Sequence, residues 1–260
     1  MRALAQRIAD ALPAEEVALT GSVSRGVADE VSDIEMLVVT AEHLSLKTCF
    51  EHVRAVGLTG LDTWGNPATP TRRVFGYLDG VPIETIWWYR AYAEEQIAAP
   101  TQATGDALLN AIPLKTAGAL AEWQERLRDY PDELVSARCE EAAERWGGYA
   151  PAGLLTIVRP GDRLQLTEWI VDAATRVLAI VYAVNRTWQP TSKRLAARLE
   201  PLPVKPDRLA ERIELALTEQ DPRAALRIIT QVQIDVLQLA PSGPNVDRAR
   251  RWLPEALGLL

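Results

Sequence analysis

The chain has 260 residues, 48% of them apolar and 24% charged, with a formal net charge of −7 at pH 7. That length supports one large domain or two ordinary ones with a buried core. No run approaches the roughly 20 uninterrupted apolar residues that span a bilayer, so no membrane partner is expected. The acidic balance argues against an extended nucleic-acid surface. The opening residues lack the continuous apolar stretch of a secretory signal. Cys49 and Cys139 have neither metal-ligand spacing nor local partners, so two reduced thiols in a cytoplasmic protein are expected. With only two histidines, His43 and His52, a histidine triad or zinc site is hard to build. Carboxylates are the natural chemical groups.

In chain order, Leu4, Ile8, Ala11 and Leu12 give the first residues one apolar side, which predicts an amphipathic helix stopped at Pro13. Val17–Thr20 reads as a short strand, Gly21-Ser22 as a turn, and residues 23–28 as a short helix. Ile34–Val39 is a second strand whose unbroken apolar run implies burial on both faces. A helix over about His43–Val56 closes at Gly57. Strands near Arg73–Leu78 and Val81–Trp88 are joined by Asp79-Gly80, a strong hairpin signal. Beyond Trp88 the texture changes to Ala/Leu/Glu/Arg-rich helical periodicity. Helices are expected near 91–97, 104–110, 118–129, 132–146, 163–186, 207–218 and 222–239, with prolines between most of them. The fold class predicted is α+β: a small mixed-sheet domain, residues 1–90, followed by an all-α bundle, residues 91–260.

The chemistry concentrates in Thr20-Gly21-Ser22-Val23-Ser24-Arg25-Gly26 and Ser32-Asp33-Ile34-Glu35. Gly21 follows a strand and, lacking a Cβ, lets the backbone approach a ligand. Ser22 offers a hydroxyl and an N–H at a helix start, groups suited to phosphate, and Arg25 can add charge. Asp33 and Glu35, two apart on a strand, project from one face. Such a pair repels unless a cation lies between, and Mg²⁺ takes one or two carboxylates plus substrate phosphates. Glu84, a charge in the apolar strand Val81–Trp88, is a third candidate, either as a metal ligand or as a proton acceptor. The alternative is that it faces solvent on an edge strand.

Gly21-Ser22, Arg25-Gly26 and Ser32-Asp33-Ile34-Glu35 resemble the signature of the DNA polymerase β-like nucleotidyltransferase superfamily. The chain looks like the small bacterial type, which includes aminoglycoside and lincosamide nucleotidyltransferases with a C-terminal helical domain. The resemblance implies that Ser22 holds the triphosphate of ATP and that Asp33, Glu35 and Glu84 serve a Mg²⁺ centre. A hydroxyl of a small-molecule acceptor, such as an aminoglycoside-like antibiotic, then attacks the α-phosphorus and pyrophosphate leaves. Glu35 departs from the commoner Asp by one methylene. Two alternatives stay open: an enzyme that modifies a protein or tRNA, and a non-catalytic nucleotide-binding module. A homodimer completing the site is an expectation carried by the same resemblance.

In the helical half, the stretch from Ala183 to Lys193 resembles the C-terminal bundle of antibiotic nucleotidyltransferases. By that resemblance Asn185 and Lys193 meet the nucleotide, although helix capping and a solvated lysine explain them equally well. Glu168, Asp172 and Arg176 form a stripe at four-residue spacing, suited either to a cationic substrate or to a solvated face. Trp87 and Trp88, soon after Glu84, are candidates to line a substrate pocket.

Overall fold

The apolar run after Glu35 becomes the middle of a six-stranded mixed sheet in the computed structural model, which describes residues 1–66, 68–147, 151–159 and 161–260. The first compact unit, Met1–Asp129, contains helix α1 (Arg2–Ala11), strand β1 (Glu16–Thr20), the short α2 (Gly21–Ser24), β2 (Ile34–Thr40), α3 (Leu46–Ala55), β3 (Thr59–Asp62), β4 (Arg72–Leu78) and β5 (Val81–Tyr89). It continues with α4 (Arg90–Ala98), α5 (Gln102–Leu109), β6 (Ile112–Lys115) and α6 (Ala119–Arg128). The sheet order is β3-β4-β5-β2-β1-β6, with β2 and β5 parallel and the other pairs antiparallel.

Strand alternation sorts the sheet into two faces. On one, Val17 and Leu19, then Ile34, Met36 and Val38, then Ile83 and Trp87 pack with Ile8, Ala9 and Leu12 of α1 and Cys49 and Val53 of α3. The other face carries Glu16, Ala18 and Thr20, then Glu35, Leu37 and Val39, then Glu84, Ile86 and Trp88. Glu16 is buried there, and its carboxylate accepts from Ala117 N (2.8 Å), Ala119 N (3.0 Å) and Thr116 Oγ1 (2.6 Å). It thereby satisfies N–H groups at the start of α6 and ties that helix to the sheet. Arg90, at the head of α4, pairs with Glu15. Glu94 of α4 accepts from Trp123 Nε1 (2.7 Å) and Arg126 Nη1 (2.9 Å) of α6.

Residue 90 therefore marks a change in composition, while the compact unit continues to Asp129 because β6 pairs with β1 and Glu16 caps α6. Neither β3 nor β6 is anticipated from sequence. Both are four-residue edge strands, one carrying Gly60 and the other Pro113, a residue tolerated only at an edge or bulge. The helix expected from His43 starts instead at Leu46, because Ser45 accepts from Thr48 N (3.1 Å) and sets the cap there. The short helix expected at 23–28 falls at Gly21–Ser24.

The second unit, Tyr130–Leu260, is helical among its described residues. It comprises α7 (Asp132–Glu144), 3₁₀ turns at Arg145–Gly147 and Pro151–Thr156, α8 (Arg163–Val184), α9 (Leu195–Leu199), α10 (Leu209–Thr218), α11 (Pro222–Leu237) and α12 (Pro244–Leu259). Asp221 caps α11 through Arg223 N and Ala224 N, with Pro222 following it where a missing N–H costs nothing. The last helix escapes the sequence reading because Pro254 sits inside it, and an interior proline argues against helix. Helix α8 is the hub of this unit, packing against α7, α10 and α11.

The core of the second unit encloses two polar side chains on α11. Thr230 and Gln233 are fully buried, and Thr230 Oγ1 and both Gln233 amide atoms have no hydrogen-bond partner among the described residues. A buried unsatisfied amide costs about 1–3 kcal/mol. Gln233→Met, which keeps the volume and removes the polar atoms, is expected to raise unfolding free energy by about 1 kcal/mol. Urea denaturation checks this, and a loss of stability would show that the amide has a partner.

In the first unit, the Trp123 N–H, assisted by Arg126, holds the Glu94 carboxyl below its ordinary value of 4.5. A depressed carboxylate contributes stability that is present above the unfolded pKa and is lost as pH falls through the folded one. Glu94→Gln should therefore flatten the dependence of stability on pH below about 4.5 and leave its shape at neutral pH unchanged. Thermal melts between pH 3 and 7 decide this. A variant whose acid dependence matches wild type would rule it out.

Candidate active site

The site is built from the bend that follows β1 and from the acids at the start of β2. Gly21 has φ +68°, in the left-handed region where a side chain is strained. Its carbonyl accepts from Ser24 Oγ (3.0 Å) and Arg25 Nη1 (2.8 Å), and Arg25 Nη2 reaches Asp106 Oδ2 of α5 at 2.5 Å. Arg25, expected to bring charge to phosphate, is thus a largely buried brace whose charge is balanced by Asp106. Ser22 is partly exposed at the bend.

Glu35 lies directly against this bend. A Cβ placed on Gly21 would sit 1.5 Å from Glu35 Oε2 and 2.5 Å from Cδ. The tip of the Glu35 side chain thus lies directly against the Gly21 backbone, on the side where a Cβ would point. Thr20 Oγ1 donates to the Glu35 carbonyl (3.2 Å), a second tie between the two strands. Asp33 stands one residue before β2, half-buried. The turn that delivers it is closed by Ser32, whose hydroxyl donates to Asp29 Oδ1 (2.6 Å) and accepts from Asp29 N (2.9 Å).

Strand register brings in the third acid. Thr20 pairs with Glu35, Glu35 with Glu84, and Glu84 with Phe75. The row Thr20–Glu35–Glu84–Phe75 therefore crosses four strands on one face. Glu84 is buried, with its side chain 6% exposed. Burial pushes its carboxyl above the ordinary 4.5, the guanidinium of Arg73 opposes that shift, and the negative charges of Glu35 and Asp33 add to it. The solvent-facing alternative for Glu84 fails because β5 is an interior strand.

Arg73 is the partner of Glu84 that sequence reasoning did not single out. Its Nη1 donates to Glu84 Oε1 at 2.9 Å, and its guanidinium lies 4.4 Å from the Trp64 ring centroid. Trp64 in turn stacks on Phe75 at 6.2 Å. The hairpin at Asp79-Gly80 was the available signal, since it sets the β4–β5 register that delivers Arg73 to Glu84.

Other candidates fall elsewhere. Trp87 belongs to the opposite face, buried in the core, with Nε1 donating to Thr85 Oγ1 (2.9 Å) and the ring stacked on His52. It does not share the face of Glu84, because adjacent strand residues point to opposite sides. Trp88 does share that face and packs edge-on against Tyr92. Asn185, Lys193, Glu168 and Asp172 all belong to the second unit. The Asn185 amide donates to Val181 O (2.7 Å) and Val204 O (2.6 Å) and accepts from Val204 N (3.0 Å), pinning the chain after α9 to the end of α8. Lys193 and Glu168 are exposed, and Asp172 pairs with Arg176 (2.9 Å) and Arg145 (3.5 Å).

Asp33 and Glu35 supply hard oxygen donors of the kind Mg²⁺ prefers, beside a bend with no Cβ, and Mg²⁺ needs only one or two carboxylates when phosphates complete its shell. Among the described residues, no group of three or more His, Cys, Asp or Glu side chains is disposed to hold a metal ion.

A family model described as a domain of unknown function (DUF4037) matches residues 98–195, which straddle the end of the first unit and the start of the second. Comparison with curated proteins gives no match. Among solved structures, the chain is similar to a nucleotidyltransferase-like protein from Exiguobacterium sibiricum 255-15. That likeness has 14% identity and a TM-score of 0.29, over 95% of this chain and 70% of the other.

Gly21→Ala tests the coupling of bend and acid. A non-glycine residue at positive φ costs about 1–3 kcal/mol, and the added Cβ must also displace the Glu35 carboxylate. The variant should lose stability of that order in chemical denaturation. Wild-type stability would show that the bend relaxes without cost.

Proposed function

We propose that the first unit is a nucleotidyltransferase centre that moves a nucleoside monophosphate from ATP to a hydroxyl of a small molecule and releases pyrophosphate. The observation that carries this is the fit of the Glu35 carboxylate onto the Cβ-less bend at Gly21, with Glu84 beside it in the same cross-strand row. The bend that carries Ser22 and the acids that could face a divalent ion are neighbours in the first unit.

In this reading Gly21 and Ser22 meet the triphosphate through backbone and hydroxyl donors. Asp33 and Glu35 would hold Mg²⁺. When bound there, the ion supplies charge neutralisation on the phosphoryl oxygens. The acceptor hydroxyl oxygen forms a bond to the α-phosphorus as the bond to the β-phosphate bridging oxygen breaks, and pyrophosphate departs with that electron pair. Glu84, whose proton affinity is raised by burial and by its acidic neighbours, takes the hydroxyl proton. Trp88, on the same face, is a candidate to border the acceptor. The net charge of −7 favours cationic acceptors, and an aminoglycoside-like antibiotic is the acceptor suggested by the resemblance of the Gly-Ser and Asp-x-Glu motifs.

The test is pyrophosphate release from ATP and Mg²⁺ across a panel of aminoglycosides, other hydroxylated antibiotics, tRNA and cell extract. Wild type should release pyrophosphate with at least one small-molecule acceptor. The Asp33→Ala/Glu35→Ala double variant should fall by at least about 100-fold, the loss of several kcal/mol of transition-state stabilisation. If wild type and the double variant are equal on every acceptor, the proposal fails. Release with tRNA or protein alone would move the acceptor out of the small-molecule class.

A further inference from the structure

We propose that Arg73 is a built-in cation of the acid row, standing at Glu84 where a second divalent ion stands in two-metal phosphoryl-transfer sites. The inference rests on the nucleotidyltransferase reading of that row and deepens it: a centre with a resident guanidinium needs one metal ion where others use two.

The geometry supports this in three ways. First, Glu84 is a carboxylate with 6% of its side chain exposed, facing the charges of Glu35 and Asp33. Such a group must be neutralised or paired. Arg73 Nη1, at 2.9 Å, supplies the pairing, and no ion pair with another cation involves Glu84 among the described residues. Second, the guanidinium is held without a second acid. It lies over Trp64 at 4.4 Å, and Trp64 is stacked on Phe75, the cross-strand neighbour of Glu84. Cation–π contact fixes a charge in place without neutralising it. Third, an arginine carries five N–H donors. Only Nη1 of Arg73 is bound to a side chain of the row, and the side chain remains 35% exposed. The remaining donors can meet a phosphoryl or leaving oxygen, the task a second metal performs in a two-metal clamp.

Counting Mn²⁺ bound to the full chain by electron paramagnetic resonance tests the proposal, with Mn²⁺ itself as the probe. Arg73→Gln should bind one more Mn²⁺ per chain than wild type. That gain should vanish in Arg73→Gln/Glu84→Gln, and Arg73→Lys should keep the wild-type count. Equal counts in wild type and Arg73→Gln overturn the proposal, as does a gain that survives loss of Glu84. Should Arg73→Gln fail to fold by circular dichroism, Arg73→Met carries the same comparison. The difference between variants reads Arg73, whereas a wild-type count that stays at zero with inorganic pyrophosphate also present would instead remove the metal role given to Asp33 and Glu35.

Discussion

A carboxylate resting on a glycine is the contact on which the candidate site depends. The tip of the Glu35 side chain lies where a Cβ at position 21 would fall. The left-handed bend after β1 and the acid on β2 are therefore in direct contact. Because β2 is flanked by β1 and β5, that contact is embedded in the middle of the sheet. Buried apolar residues on the other face, among them Ile34, Met36 and Ile83, leave the strands little freedom to slip register. A one-residue slip would turn Glu35 and Glu84 into the core and their apolar neighbours out.

Carboxylates serve two distinct ends in the same unit. Glu16 and Asp106 are consumed by structure. The former caps α6, and the latter neutralises the arginine that braces the bend. Asp33, Glu35 and Glu84 gather at one end of the parallel pair β2–β5 instead. Their mutual repulsion is the electrostatic demand that any bound cation, resident or diffusible, would answer. Arg73 answers part of it from the neighbouring strand.

The helical unit is organised by different forces. Its polar candidates are engaged locally: Asn185 in holding backbone, and Asp172 in ion pairs on a half-exposed helix face. The family model at residues 98–195 crosses from one unit to the other, so its match is not confined to either compact body.

The Gly-Ser bend, the Asp-x-Glu pair and the apolar strand behind them were legible in the sequence because each is local. A glycine after a strand, acids two apart and an unbroken Val/Leu run all speak through neighbouring residues. The α+β class and most helices followed from periodicity and proline punctuation for the same reason. The weak edge strands, the proline-bearing last helix and the extent of the first unit were hidden, since pairing to a distant strand or capping by a distant glutamate leaves no local trace. Tertiary structure alone decided that Glu84 lines up with Glu35, that Trp87 turns to the core, that Arg25 is spent on Asp106, and that Arg73 reaches Glu84. Each is a matter of strand register and of contacts between residues far apart in the chain, and such contacts exist only once the sheet has formed.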